Sequence, residues 1–101
     1  MEEQLLGSCL RLILVDGLTA NNVSKFNDKI ESIFNSDMAF LEIVLDLANT
    51  KNIDSVGVTF VIGLYKKADD NDKKFSVSGA SSDILSLFRL MKLDQFFDIC
   101  E

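Results

Sequence analysis

Two short runs decide how this chain folds: Val44-Leu45-Asp46-Leu47 and, seven residues further on, Asp54-Ser55-Val56-Gly57-Val58. The first belongs to Phe40–Leu47, which is apolar up to Asp46 except for Glu42. That length and composition predict a strand covered on both faces. A polar loop, Asn49 to Asn52, leads to Ile53-Asp54-Ser55. Beyond it Val58, Val61, Ile62, Tyr65 and Ala68 share one side of a 3.6-residue period, so a helix opens at Ser55. A strand that feeds a helix through a short loop is half of a parallel βαβ unit.

The same alternation extends in both directions. Upstream, Cys9 to Val15 reads as a strand, with an edge strand around Gln4 to Leu6 in front of it and Asp16-Gly17 as a turn behind it. Thr19, Asn21 and Asn22 offer capping side chains. Val23, Phe26, Ile30, Ile33 and Phe34 then form the apolar stripe of a helix that stops at Asn35-Ser36-Asp37. Downstream, Asn71 to Lys74 is a turn and Phe75 to Ser78 a short strand closed by Gly79. Ser81 or Ser82 caps a third helix whose buried stripe is Ile84, Leu87, Phe88 and Met91, and Phe96 to Cys100 is a last strand. The expectation is one α/β domain over residues 1–101, with a mixed sheet of four to five strands and three to four helices.

Composition narrows the function. The formal net charge is −6, and the lysine pairs Lys66-Lys67 and Lys73-Lys74 each sit beside aspartates. A nucleic-acid binder needs a basic face to displace counterions, so no nucleic acid is expected. An acidic surface instead favours a partner with a basic docking face. Histidine is absent, which removes the usual general base, the usual imidazole ligand and any Ser-His-Asp triad. No paired-cysteine zinc spacing, GxxxxGK[ST] phosphate loop or GxGxxG turn occurs, so neither metal nor cofactor is expected, nor catalysis by this chain. Cys9 and Cys100 lie in apolar stretches and read as buried free thiols. The Met1-Glu2-Glu3 start is acidic where a secretory signal is basic, and no apolar run approaches the ~20 residues that span a bilayer. A cytoplasmic location with no membrane insertion is the expectation.

Ser55 is the residue these observations single out. A serine at the start of a helix caps it, and the N–H groups of Val56, Gly57 and Val58 would be unpaired donors there. Donors and helix dipole together attract anions, so the same serine can hold a phosphate when modified. Gly57 has no β-carbon and would let another protein's active site come close. Asp54 and Asp46 would surround the hydroxyl with acid, so a phosphate bringing about −1.5 to −2 further charge would change the binding surface rather than the fold. Thr59, one turn on, reads as an ordinary surface or core threonine.

Ile43-Val44-Leu45-Asp46-Leu47 followed by Ile53-Asp54-Ser55-Val56-Gly57-Val58 resembles the STAS domain, the sulfate-transporter and anti-sigma-factor-antagonist family. Ile84-Leu85-Ser86-Leu87-Phe88 and Leu93-Asp94-Gln95-Phe96-Phe97 extend the resemblance to Leu41–Ile99, and Leu12–Phe34 matches more loosely. For a stand-alone member the resemblance implies a partner switch. Unphosphorylated, it would bind and sequester a serine-kinase anti-sigma factor. The kinase would phosphorylate Ser55, and a serine phosphatase would reverse the modification. Asp46, Asp54, Val56, Gly57 and Val58 would then belong to the partner-binding surface. The alternative is a non-phosphorylated accessory subunit of a lipid-transport ATPase, or a component of a larger stress-signalling complex. Three positions depart from the family pattern. Val56 stands where many members have a second serine, Gly17-Leu18-Thr19 lacks an acidic docking residue, and Lys92 replaces a glycine.

Overall fold

The computed structural model describes residues 1–101. The strands are β1 (Glu2–Leu6), β2 (Cys9–Ile13), β3 (Glu42–Asp46), β4 (Lys74–Ser78) and β5 (Asp98–Ile99). The helices are α1 (Ala20–Phe34), α2 (Ser55–Asp70) and α3 (Ser82–Leu90), with a 3₁₀ turn over Leu93–Gln95. The sheet order is β1-β2-β3-β4-β5; β1 is antiparallel to β2 and the other neighbours are parallel. The mixed five-stranded α/β architecture read from the sequence is the one observed.

The parallel strands are laid down in an order that never reverses direction across the sheet. Crossover connections are right-handed, so every helix lands on the same face. Leu10, Leu12 and Leu14, then Ile43, Leu45 and Leu47, then Phe75 and Val77 point to that face. They meet Val23, Phe26, Ile30 and Ile33 of α1, Val58, Phe60, Val61 and Leu64 of α2, and Ile84, Leu85 and Phe88 of α3 in one core cluster. Each fully buried leucine or phenylalanine contributes about 1.5–3 kcal/mol. Phe26 and Phe60, with ring centroids 6.1 Å apart, join α1 to α2 through the middle of this layer.

The opposite face corrects one expectation. β3 is not covered on both sides: Glu42 and Val44 are only half-buried, as are Cys9, Arg11 and Ile13 of β2 and Ser76 and Ser78 of β4. An unbroken apolar run suggested two cover layers, but the topology supplies one. The cysteines differ too. Cys9 is half-buried and Cys100 exposed, and both are free. They sit at opposite ends of the sheet, on β2 and just after β5, at least three strand spacings or roughly 14 Å apart, beyond the ~7 Å that a disulfide can bridge. Burial and the neighbouring Glu42 carboxylate push the Cys9 thiol above its ordinary pKa.

Two smaller differences lie at the C-terminal end. The last strand shrinks to Asp98–Ile99, because Leu93–Gln95 turns as 3₁₀ helix first and leaves Phe96 exposed. Met91, expected in the stripe of α3, is the C-cap residue and is exposed, while Leu85 takes the buried place. Lys92 follows with φ 61° and ψ 27°, the left-handed conformation in which a β-carbon costs about 1 kcal/mol. Lys92→Gly should therefore raise stability by about 0.5–1 kcal/mol in urea unfolding. An unchanged or lowered midpoint would show that Lys92 makes compensating contacts.

Candidate functional site

The loop from β3 to α2 runs alongside the loop from β2 to α1. Leu18 and Ile53 form a parallel bridge between the two, with Leu18 N–H donating to Asn52 O at 2.8 Å and Asp54 N–H donating to Leu18 O at 3.3 Å. The bridge brings the N-termini of α1 and α2 together at one carboxylate. Asp54 Oδ2 accepts from Ala20 N–H at 3.0 Å, and Asp54 Oδ1 accepts from Gly57 N–H at 2.8 Å. A single side chain thus satisfies a donor at the start of each helix and places negative charge at both positive dipole ends.

The cap of α2 is therefore Asp54 and not Ser55. Asp54 has the extended backbone of an N-cap, φ −114° and ψ −176°, whereas Ser55 is already the first helical residue. Thr19, the N-cap of α1, makes no side-chain capping bond, since the acceptor comes from Asp54 across the bridge. The bonds from Ala20 N–H, then from Gly57 N–H, hold the Asp54 carboxyl below its ordinary pKa. The sequence did contain the signal: aspartate ranks with serine as a cap, and Asp54 precedes Gly57 by the three residues a cap-to-N3 bond requires.

Gly57 has a different reason from the one read in the sequence. A β-carbon built there would lie 2.0 Å from Leu18 O and 2.9 Å from Leu18 C. The missing side chain makes room for the chain's own backbone, not for another protein. Gly57 and Val58 are both buried, and Val58 N–H bonds to Asp54 O at 2.9 Å. Of the three N–H groups expected to be free, two are thus already paired.

Asp46 also lies inside. It is 7% exposed and accepts from Arg11 Nε at 3.1 Å, Arg11 Nη2 at 2.7 Å and, through Oδ1, Ala48 N–H at 2.9 Å. Its charge is matched by the guanidinium, and its second oxygen turns the chain out of β3 into the loop. The expected repulsion from two acids around Ser55 therefore reduces to Asp54. Arg11, on the half-open face of β2, is the partner of Asp46, and no sequence pattern pointed to it. Only the in-register pairing of Arg11 with Val44 brings it diagonally within reach of Asp46.

What remains at the surface is small and definite. Ser55 is exposed, Val56 is 42% exposed, and Thr59 is exposed one turn on, its hydroxyl donating to Ser55 O at 3.0 Å. The Ser55 hydroxyl takes part in none of the capping bonds. No nucleophile–base pair forms here: the adjacent carboxylate, Asp54, points both oxygens at backbone donors. No cluster of histidine, cysteine, aspartate and glutamate gathers that could hold a metal, and no helix is long and apolar enough to cross a membrane.

A family model described as "Mlab, STAS domain" matches residues 1–100. Solved structures with the same fold include a candidate anti-sigma factor antagonist from Thermotoga maritima, at TM-score 0.84 and 16% identity, covering 99% of this chain and 85% of that one. The Bacillus cell fate determinant SpoIIAA in its phosphorylated form superposes at TM-score 0.71 and 18% identity, covering 99% and 89%. The STAS domain of a SulP transporter from Vibrio cholerae superposes at TM-score 0.77 and 10% identity, covering 97% and 77%. The fold is thus shared by anti-sigma factor antagonists and by domains of transporters.

Proposed function

This chain belongs to the STAS domain family, and we propose that within it the protein is a partner-binding switch of the anti-sigma-factor-antagonist type, with Ser55 as its modified residue. One observation carries the reading: Asp54 does the capping, so Ser55 stands exposed at the first turn of α2 with a hydroxyl the fold does not use. The partner, a serine-kinase anti-sigma factor, would dock over Ser55 and Val56 while the hydroxyl is free. Gly57, Val58 and Asp46 act from beneath, by fixing where the helix starts.

A phosphate on Ser55 would add about −1.5 to −2 charge next to Asp54. It could not take the Gly57 N–H, which Asp54 already holds at 2.8 Å, so it would project outward over Val56. The fold would stay the same and the docking face would change sign of preference, which a serine phosphatase would reverse. Intact-mass spectrometry of the protein from its native cells, with Ser55→Ala alongside, tests this. One added phosphate, absent from the variant, is the expected result; a variant as fully modified as the wild type would sink it.

A second reading has its own support. Half-buried Arg11 and an exposed Ser55 are equally compatible with a permanently bound subunit, and a transporter's STAS domain shares this fold. An accessory subunit of a lipid-transport ATPase would stay unmodified under all growth conditions and copurify with a membrane ATPase. A part in a larger stress-signalling complex would instead show as copurification with other proteins of this fold.

A further inference from the structure

The sheet has one substantial unpaired edge. At one margin β5 is only two residues long, while at the other β1 offers five, and Leu5 and Leu6 on it are 46% and 66% exposed. Apolar side chains on an open edge are what monomeric proteins generally avoid. The β1–β2 hairpin closes through Gly7-Ser8, with Leu6 opposite Cys9 and Gly7 at φ 62°, as the first position of a two-residue hairpin turn takes. Such a turn makes Leu6 and Cys9 a hydrogen-bonded pair. Alternation along the antiparallel ladder then makes Gln4–Arg11 and Glu2–Ile13 the next bonded pairs. The backbone groups of Glu3 and Leu5 are left facing the free edge.

We propose that this edge pairs with β1 of a second copy of the chain, antiparallel about a two-fold axis through Gln4. In that register Glu3 of one copy faces Leu5 of the other, Glu2 faces Leu6, and Gln4 faces its own counterpart. The outward groups of Glu3 and Leu5 then satisfy one another as hydrogen-bonded pairs, and the two sheets become continuous. The contact is isologous and closes on itself.

Charge selects this register. No acid faces an acid, and the carboxylate of Glu3 is already met by Lys29 Nζ at 3.6 Å. The two Glu2 side chains stand four residues apart along the strands, about 14 Å, beyond the ~8 Å screening length at physiological salt. A slip of two residues one way sets Glu3 against its own counterpart. A slip of two the other way leaves only Gln4 to Leu6 paired. The opposing term is the net charge of −6 on each copy. Added salt should therefore tighten the dimer, the reverse of a contact held by opposite charges.

Sedimentation equilibrium of the whole chain, at several concentrations and salt levels, reads the association. Oxidative cross-linking in a background with both native thiols removed, Cys9→Ser and Cys100→Ser, reads the register. The expected result is a dimer that strengthens with salt, in which Gln4→Cys links to itself, since residues in such non-bonded pairs bring their β-carbons to about 4.5–5.5 Å. Glu2→Cys should link to Leu6→Cys in a mixture and not to itself. Leu5→Glu, which sets acid against Glu3 of the second copy, should weaken the dimer at least tenfold with an unchanged circular dichroism spectrum. If that variant folds poorly, the cross-linking pattern alone decides. A monomer at every concentration, or a dimer in which Gln4→Cys does not link to itself, would overturn the proposal.

Discussion

Gly57→Ala should destabilise this domain by about 3 kcal/mol, a fall in Tm of roughly 12–20 °C for a chain of this size. The added β-carbon would sit 2.0 Å from Leu18 O and 2.9 Å from Leu18 C, with Cγ1 of Ile53 at 3.0 Å. The first obstacle is backbone and cannot rotate away. Leu18 is fully buried and its N–H is bonded to Asn52 O at 2.8 Å, so moving it breaks the bridge that aligns the two loops. Gly63, six residues along the same helix, provides the control, because a β-carbon there meets nothing within 4 Å. At that exposed position Gly63→Ala should instead stabilise by about 0.5–1 kcal/mol, the ordinary helix-propensity gain. Urea unfolding of the pair measures both effects. Equal effects of the same sign would mean that the approach of Leu18 to α2 does not govern the site.

That contrast also shows where sequence reading stops. Hydrophobic period located the three α-helices and the central strands β2, β3 and β4, because Val23, Phe26, Ile30 and Ile33 or Leu10, Leu12 and Leu14 must face the core whatever else happens. The start of α2 at Ser55 was legible for the same reason. The number of cover layers was not: the run Ile43 to Leu47 is as apolar as a doubly covered strand, and only strand order places all helices on one face. At the site, proximity in sequence was mistaken for proximity in space. Asp54 and Ser55 are adjacent, yet one bonds backward to α1 and the other faces solvent. Asp46 looked like a neighbour of Ser55 but belongs to Arg11, a residue 35 positions away in the chain. Lys92 was the reverse case. A family pattern with glycine at that point implied the left-handed backbone, and φ 61° is what the residue has.

Asp54→Ala should lower Tm by more than 5 °C, since one substitution removes the acceptor for the start of α1 and the start of α2 together. The pH dependence gives the sharper test. Hydrogen bonds from Ala20 and Gly57 depress the carboxyl pKa in the folded protein, so the ionised form binds the two helix ends better than the protonated form does. The contribution is therefore fully present above the ordinary carboxylate pKa of about 4 and is lost as pH falls through the lower folded value. Asp54→Asn, which keeps one carbonyl oxygen and no charge, should trail the wild type by a constant margin near neutrality. Below about pH 4 that margin should shrink as the wild type becomes protonated. Asp46 is the other carboxylate nearby, and Arg11 accompanies it in both proteins, so it drops out of the difference. A margin at pH 3 equal to that at pH 7 would mean that Asp54 holds the helices by shape alone. The test bears on function as well, because the same depressed pKa keeps Asp54 charged and bound to its own backbone at any physiological pH. Ser55 then keeps an exposed hydroxyl at this helix start that no capping bond uses, so the switch proposed above would act on the surface while the fold beneath it stays fixed.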